Sequence, residues 1–145
     1  MDKHQSIITK SAQETAAVGE RMAGTVAPNV YCLYGDLGSG KTTFAQGFAK
    51  GLGITSRLLS PTFIIVRRYE IPNTTGFLYH VDLYRLHTSH SLDDIGLREI
   101  LTDPQSYVVI EWAEKLGRLR PQKRTDISFT LTPEGHHRIE RKAYI

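Results

Sequence analysis

The sequence predicts an α/β fold of three layers, with a mixed, largely parallel central sheet and flanking antiparallel hairpin strands. Three observations carry that reading. Apolar, β-prone runs alternate with segments of helical spacing, a glycine-rich loop joins one such run to a helix, and the last segments alternate polar and apolar residues about a tight turn. At 145 residues with 40% apolar side chains, the chain is long enough to bury a sizeable core and reads as one domain, 1–145.

Ser11-Ala12-Gln13-Glu14 has the spacing of a capping box, and Thr15, Val18, Gly19, Met22 and Val26 recur at helical intervals, predicting a helix over 12–26. The residues before Ser11 are assigned no element. Val30-Tyr31-Cys32-Leu33-Tyr34 is a buried strand that stops at Gly35, and Thr43 to Leu52 is a helix with Phe44, Phe48 and Leu52 on one face. Segments 62–70 and 77–83 form a hairpin around the turn Pro72-Asn73-Thr74-Thr75-Gly76. Ser91 caps a helix to Leu101, with Asp93 and Asp94 near its positive end. Tyr107 to Ile110 is a buried strand ending at Glu111, and a short helix over 113–119 stops before Pro121. Segments 126–131 and 137–143 flank the turn Pro133-Glu134-Gly135. No repeat, low-complexity tract or linker interrupts this order.

Composition excludes several classes. Apolar runs such as Tyr107-Val108-Val109-Ile110 fall far short of the roughly 20 residues that span a bilayer, so no membrane segment is expected. The amino end lacks the pattern of a secretory signal, and a cytoplasmic location is expected. The single cysteine, Cys32, sits inside an apolar run and reads as a buried structural thiol. Residues 118–145 carry seven Lys and Arg against three Asp and Glu, a basic end suited to RNA, to an acidic partner, or to protecting a strand edge.

Gly35-Asp36-Leu37-Gly38-Ser39-Gly40-Lys41-Thr42 fits the pattern Gly, four residues, Gly, Lys, Thr, between a predicted strand and a predicted helix. This is the phosphate-binding loop, or P-loop, and it makes the expected fold P-loop NTPase-like. The glycines let backbone amides approach phosphate oxygens at a helix N-terminus. Lys41 reaches the β and γ phosphates, and the Thr42 hydroxyl ligates Mg²⁺. Thr43 continues the binding segment.

Such a site needs a carboxylate at the end of an apolar strand, and two compete. Asp82 ends the alternating run 77–81, whereas Glu111 ends a continuous run of the kind that is buried on both faces beside the loop strand. Glu111 is therefore assigned to Mg²⁺ and Asp82 to the attacking water. Thr62, in Ser60-Pro61-Thr62, is the candidate switch residue for the γ phosphate, with a plain turn as the alternative. Trp112 either stacks on a base or partner or belongs to the core. Arg85 either stabilises phosphate charge or pairs with Asp82. His80 has no Cys or His at metal-ligand spacing and reads as a packed, hydrogen-bonded histidine.

No Asn/Thr-Lys-x-Asp stretch follows a strand, so ATP is favoured over GTP as the substrate. Asp93-Asp94-Ile95-Gly96 fits a loose switch pattern, but helix capping explains it. A small-molecule kinase and a non-catalytic nucleotide-binding adaptor remain as alternative functions.

Gly35 to Thr43, Ser60-Pro61-Thr62-Phe63, His80-Val81-Asp82-Leu83-Tyr84-Arg85 and Glu111-Trp112, in this order and spacing, closely resemble the bacterial TsaE (YjeE) family, with Ser39 where alanine is usual. The family comprises ATPase subunits of the tRNA threonylcarbamoyladenosine system. The resemblance implies that Lys41 and Thr42 hold phosphate and metal, that Glu111 completes the Mg²⁺ site and that Asp82 supports hydrolysis. It also implies that Trp112 lies beside the nucleotide or a partner, and that the surroundings of Ser11, Thr15 and the turn at Gly135 approach the adenine. TsaD-like and TsaB-like proteins are the implied partners, with tRNA reached through that complex, and hydrolysis resets the complex between turnovers.

Overall fold

The computed structural model describes residues 4–25, 28–58, 65–86 and 96–145. In chain order its elements are β1 (His4–Thr9), α1 (Ala12–Met22), β2 (Val30–Tyr34), α2 (Lys41–Gly51), β3 (Val66–Glu70), β4 (Phe77–Asp82), α3 (Leu97–Leu101), β5 (Tyr107–Glu111), a 3₁₀ segment (Ala113–Leu119), β6 (Arg124–Leu131) and β7 (His137–Tyr144).

One seven-stranded sheet runs in the order β1-β7-β6-β2-β5-β4-β3. Its centre, β6-β2-β5-β4, is parallel, and antiparallel pairs close it on both sides, β3 on β4 and β7 with β1 on β6. The fold is thus P-loop NTPase-like and mixed in the way the sequence predicts. A strand with neighbours on both edges and layers on both faces can hide every side chain, and Val30, Tyr31, Cys32 and Leu33 of β2 are all buried.

One face of the sheet packs against α1 and α2 through Val18, Met22, Phe44, Phe48, Leu33 and Ile127. The other packs against α3 and the 3₁₀ segment through Cys32, Val81, Leu97, Ile110 and Leu116. Helices α1 and α2 meet backbone to backbone: a Cβ at Gly47 would collide with the Ala16 carbonyl, and one at Gly19 with the Phe44 carbonyl. Their crossing fixes the start of α2 beside Thr15.

Several boundaries differ from expectation, each for a local reason. α1 closes at Met22 with Ala23 as its C-cap, short of Val26, and residues 26–27 lie outside those described. α2 starts at Lys41 rather than Thr43, because Gly40 turns the chain with φ of 109° and leaves the lysine in helical geometry. Segment 113–119 is 3₁₀ rather than α, broken where Gly117 takes φ 56° and ψ −123°. β1 has no counterpart in the sequence reading. Residues 62–64 and Ser91 to Ile95, which open the expected first hairpin strand and the expected third helix, lie outside the described residues, as do Ser60 and Pro61. No described helix is long and apolar enough to cross a membrane.

Candidate functional site

β2 and α2 are joined by a loop that only glycine accommodates at two points. Gly40 holds φ of 109°, and a Cβ at Gly35 would lie 2.7 Å from the Phe129 carbonyl oxygen. No side chain caps α2, and its first turn holds no acidic residue. The N-terminus of the helix thus carries no side-chain cap and no neutralising carboxylate, the arrangement in which opening amides suit an anion.

Lys41 is 5% exposed. Its Nζ donates to the carbonyls of Gly35 and Asp36, the latter at 3.3 Å, and stands 3.8 Å from the centroid of the Trp112 ring. Burial holds its ammonium below the usual lysine range, against the opposing pull of Glu111 and other carboxylates. A desolvated cation aimed into a cavity favours an anionic ligand.

The Thr42 hydroxyl donates to Glu111, with Oγ1 at 3.0 Å from Oε1 and 3.2 Å from Oε2. Glu111 ends β5, whose register with β2 pairs it with Leu33 at the mouth of the loop. Its other contact is His80, Nε2 to Oε2 at 2.6 Å, and both side chains are buried. Glu111 is thus held between the Thr42 hydroxyl and His80 Nε2, while His80 Nδ1 has no hydrogen-bond partner among the described residues.

Asp82 ends β4 and pairs in register with Glu111, so two carboxylates close neighbouring parallel strands on the face toward α2. Its Oδ1 accepts from the Tyr84 backbone N–H at 2.9 Å. Burial raises its carboxyl above the usual range, and the charge of Glu111 adds to that.

Trp112 takes φ 59° and ψ 43°, left-handed geometry that costs a bulky L residue about 1–2 kcal/mol. The turn lays its ring over Lys41 and 5.0 Å from the Tyr84 ring. The resulting cavity, about 350 Å³, is lined by the loop from Leu37 to Thr43, by Asp82, Glu111, Tyr84 and Trp112, and on its far side by Ala12, Thr15 and His137.

Not every candidate residue lines it. Gly35 and Asp36 turn their carbonyls to Lys41 and stand outside the lining. The Ser11 hydroxyl accepts from the Glu14 backbone N–H at 3.1 Å as the cap of α1, and is likewise not at the cavity wall. Thr15 lines it and pairs its hydroxyl with Thr9 at 2.7 Å. Arg85 is exposed beside Tyr84 and off the lining, Gly135 is also off it, and Thr62 lies outside the described residues. Sequence reasoning did not single out Ala12 or His137, and it weighed Tyr84 without assigning it a role. His137 comes to the cavity through the β6–β7 pairing; the turn at Pro133-Glu134-Gly135 signals that pairing, but nothing local signals which residue of β7 meets the loop.

Strand, glycine loop and helix, with a lysine and a threonine opening the helix and a carboxylate ending the adjacent parallel strand, define a protein of P-loop NTPase-like class. The chain belongs to the TsaE family: the family model described as threonylcarbamoyl adenosine biosynthesis protein TsaE matches residues 9–142. A protein of Bacillus subtilis (strain 168) named tRNA threonylcarbamoyladenosine biosynthesis protein TsaE is 41% identical over 123 residues, covering 82% of this chain and 73% of its own. A protein of the same name from Treponema pallidum (strain Nichols) is 35% identical over 133 residues, covering 91% and 96%. The crystal structure of Bacillus subtilis YdiB superposes with a TM-score of 0.82 at 32% identity, over 100% of this chain and 88% of that one.

Proposed function

We propose that this chain is a Mg²⁺-dependent ATPase that acts as one domain in the cytoplasm, with TsaD-like and TsaB-like partners, in threonylcarbamoyladenosine modification of tRNA. The observation that carries the proposal is the contact of Thr42 with Glu111 at the start of α2, inside a cavity that also holds Lys41 and Asp82. The relatives' names supply the pathway.

The donor set suits magnesium. Thr42 offers a hydroxyl and Glu111 a carboxylate, hard oxygens of the kind that hold Mg²⁺ together with substrate phosphates, and the described residues include no His/Cys cluster that would favour a softer metal. When bound, the ion would neutralise charge that builds on the transferring phosphate oxygens. Thr42 and Glu111 would hold it. Amides from Gly38 to Thr43 would bind the phosphates, and Lys41 would leave the loop carbonyls for their oxygens, which relieves its desolvated charge. Asp82, anchored by the Tyr84 amide, would orient the attacking water, with Thr15 and His137 on the wall away from Glu111. Thr62 is the proposed γ-phosphate sensor, and Arg85 and Trp112 would meet the nucleotide or a partner.

The chain modifies no nucleotide itself in this reading: hydrolysis to ADP and phosphate resets the complex. Among the described residues no arginine lines the cavity, and a partner is expected to complete the site. Phosphate release measured with and without TsaD-like and TsaB-like proteins tests this. The expected result is a rate at least about tenfold higher with both partners, and an equal rate in both conditions rejects partner activation.

A further inference from the structure

Arg141 sits on the inner face of β7, opposite Ile127 in register, and is only 9% exposed. A guanidinium stays charged at any pH the protein meets, and one buried without a counter-charge costs several kcal/mol. Its Nε has no hydrogen-bond partner among the described residues. Of the six other such atoms among the described residues, two lie near it: the Thr125 hydroxyl and the Tyr31 hydroxyl, the latter within reach of Thr25. Register places them together. Tyr31 pairs with Thr125, and Thr125 pairs with Ala143, two positions along the same face from Arg141. Buried polar atoms are nearly always satisfied, so the unpartnered Arg141 Nε, with the Thr125 hydroxyl near it, marks a place where a partner is missing.

Arg141, though neither Tyr31 nor Thr125, lines a cavity of about 520 Å³ between the edge strand β1 and the last turn of α1, together with Gln5, Ile7, Arg21, Met22 and Thr25 among others. Arg21, exposed on α1, brings a second guanidinium to it. Among the described residues, no acidic one lines it. Glu140, next to Arg141 in sequence, alternates to the other face of β7 and lies 3.6 Å from His4 Nε2. The cavity shares no lining residue with the P-loop site.

We propose that this cavity is a second anion site, in which Arg141 and Arg21 hold a phosphate-type oxyanion. Two guanidinium forks present more donors than one carboxylate uses, and a tetrahedral oxyanion accepts them on several oxygens at once. The anion is either free phosphate or a phosphodiester of RNA.

The test is the melting midpoint of the protein saturated with Mg²⁺ and a non-hydrolysable ATP analogue, in potassium phosphate against potassium chloride of equal ionic strength. The expected result is a phosphate-specific rise of about 3 °C or more. Arg141→Met abolishes it, and Arg21→Gln at least halves it. Because Arg21 is exposed, Arg21→Gln carries the test even if Arg141→Met does not fold. A short single-stranded RNA titrated in parallel separates the sources. An Arg141-dependent rise at lower concentration than phosphate assigns the site to phosphodiester, and a rise with phosphate alone assigns it to the free anion. No rise with either, or the same rise in wild type, Arg141→Met and Arg21→Gln, overturns the proposal.

Discussion

His80 Nε2 lies 2.6 Å from Glu111 Oε2, although the two residues are not partners in the sheet: His80 pairs with Val109, and Glu111 with Asp82. The imidazole reaches diagonally along the parallel pair β4–β5 to hold one oxygen of a carboxylate whose other oxygen faces Thr42 at 3.0 Å. Glu111 is thereby fixed before any ligand arrives.

That contact predicts a positioning role for His80. His80→Ala should raise the Mg²⁺ concentration needed for half-maximal ATP hydrolysis by about 10–100-fold, the usual cost of removing a group that orients a metal ligand. His80→Gln, which retains a donor, should recover part of the loss, and metal-free nucleotide affinity should stay close to wild type. An unchanged Mg²⁺ dependence in His80→Ala removes the role.

Trp112 combines a ring over Lys41 with left-handed backbone. Trp112→Ala removes the ring and keeps the backbone strain, whereas Trp112→Gly removes both. The glycine variant should therefore be the more stable of the two by about 1 kcal/mol in denaturant titrations. A glycine variant less stable than the alanine variant would show that the left-handed turn carries no strain.

Cys32 lies at the centre of the sheet, fully buried, and burial pushes its thiol from 9.0 up to about 12. Its folded pKa is raised, so the unfolded chain loses the proton first. Between pH 9.0 and about 12 this thiol makes the native state less stable as pH rises, by up to about 1.4 kcal/mol per pH unit. A Cys32→Ala variant should lack that component of the slope when unfolding is measured from pH 8 to 11. In the wild type at pH 8, thiol reagents should label Cys32 only at the rate of opening, and instant labelling contradicts the burial.

Much of this was legible in the sequence because it is local. The loop from Gly35 to Thr42 announces itself by spacing, and the continuous run ending at Glu111 correctly puts β5 beside β2, since only a strand covered on both faces tolerates such a run. β1 was not legible: Ile7 and Ile8 are adjacent, 39% and 45% exposed, and break the alternation by which a strand is read. His80 could be read as packed but not as bound to Glu111, because that depends on the register of two strands separated by residues 83–106. His137 likewise enters the cavity only once β7 has folded back on β6. Ser11 shows the converse, a residue whose capping pattern in the sequence describes its place in the structure.

The central claim is that Thr42 and Glu111 hold the magnesium with which this P-loop hydrolyses ATP. Phosphate release by wild type and Glu111→Gln across a Mg²⁺ titration, at saturating ATP with both partner proteins present, tests it most directly. The account predicts Mg²⁺-dependent release in the wild type and a loss of at least about 100-fold, some 2.7 kcal/mol of barrier, in the variant. Equal rates and equal Mg²⁺ dependence in the two proteins would contradict it.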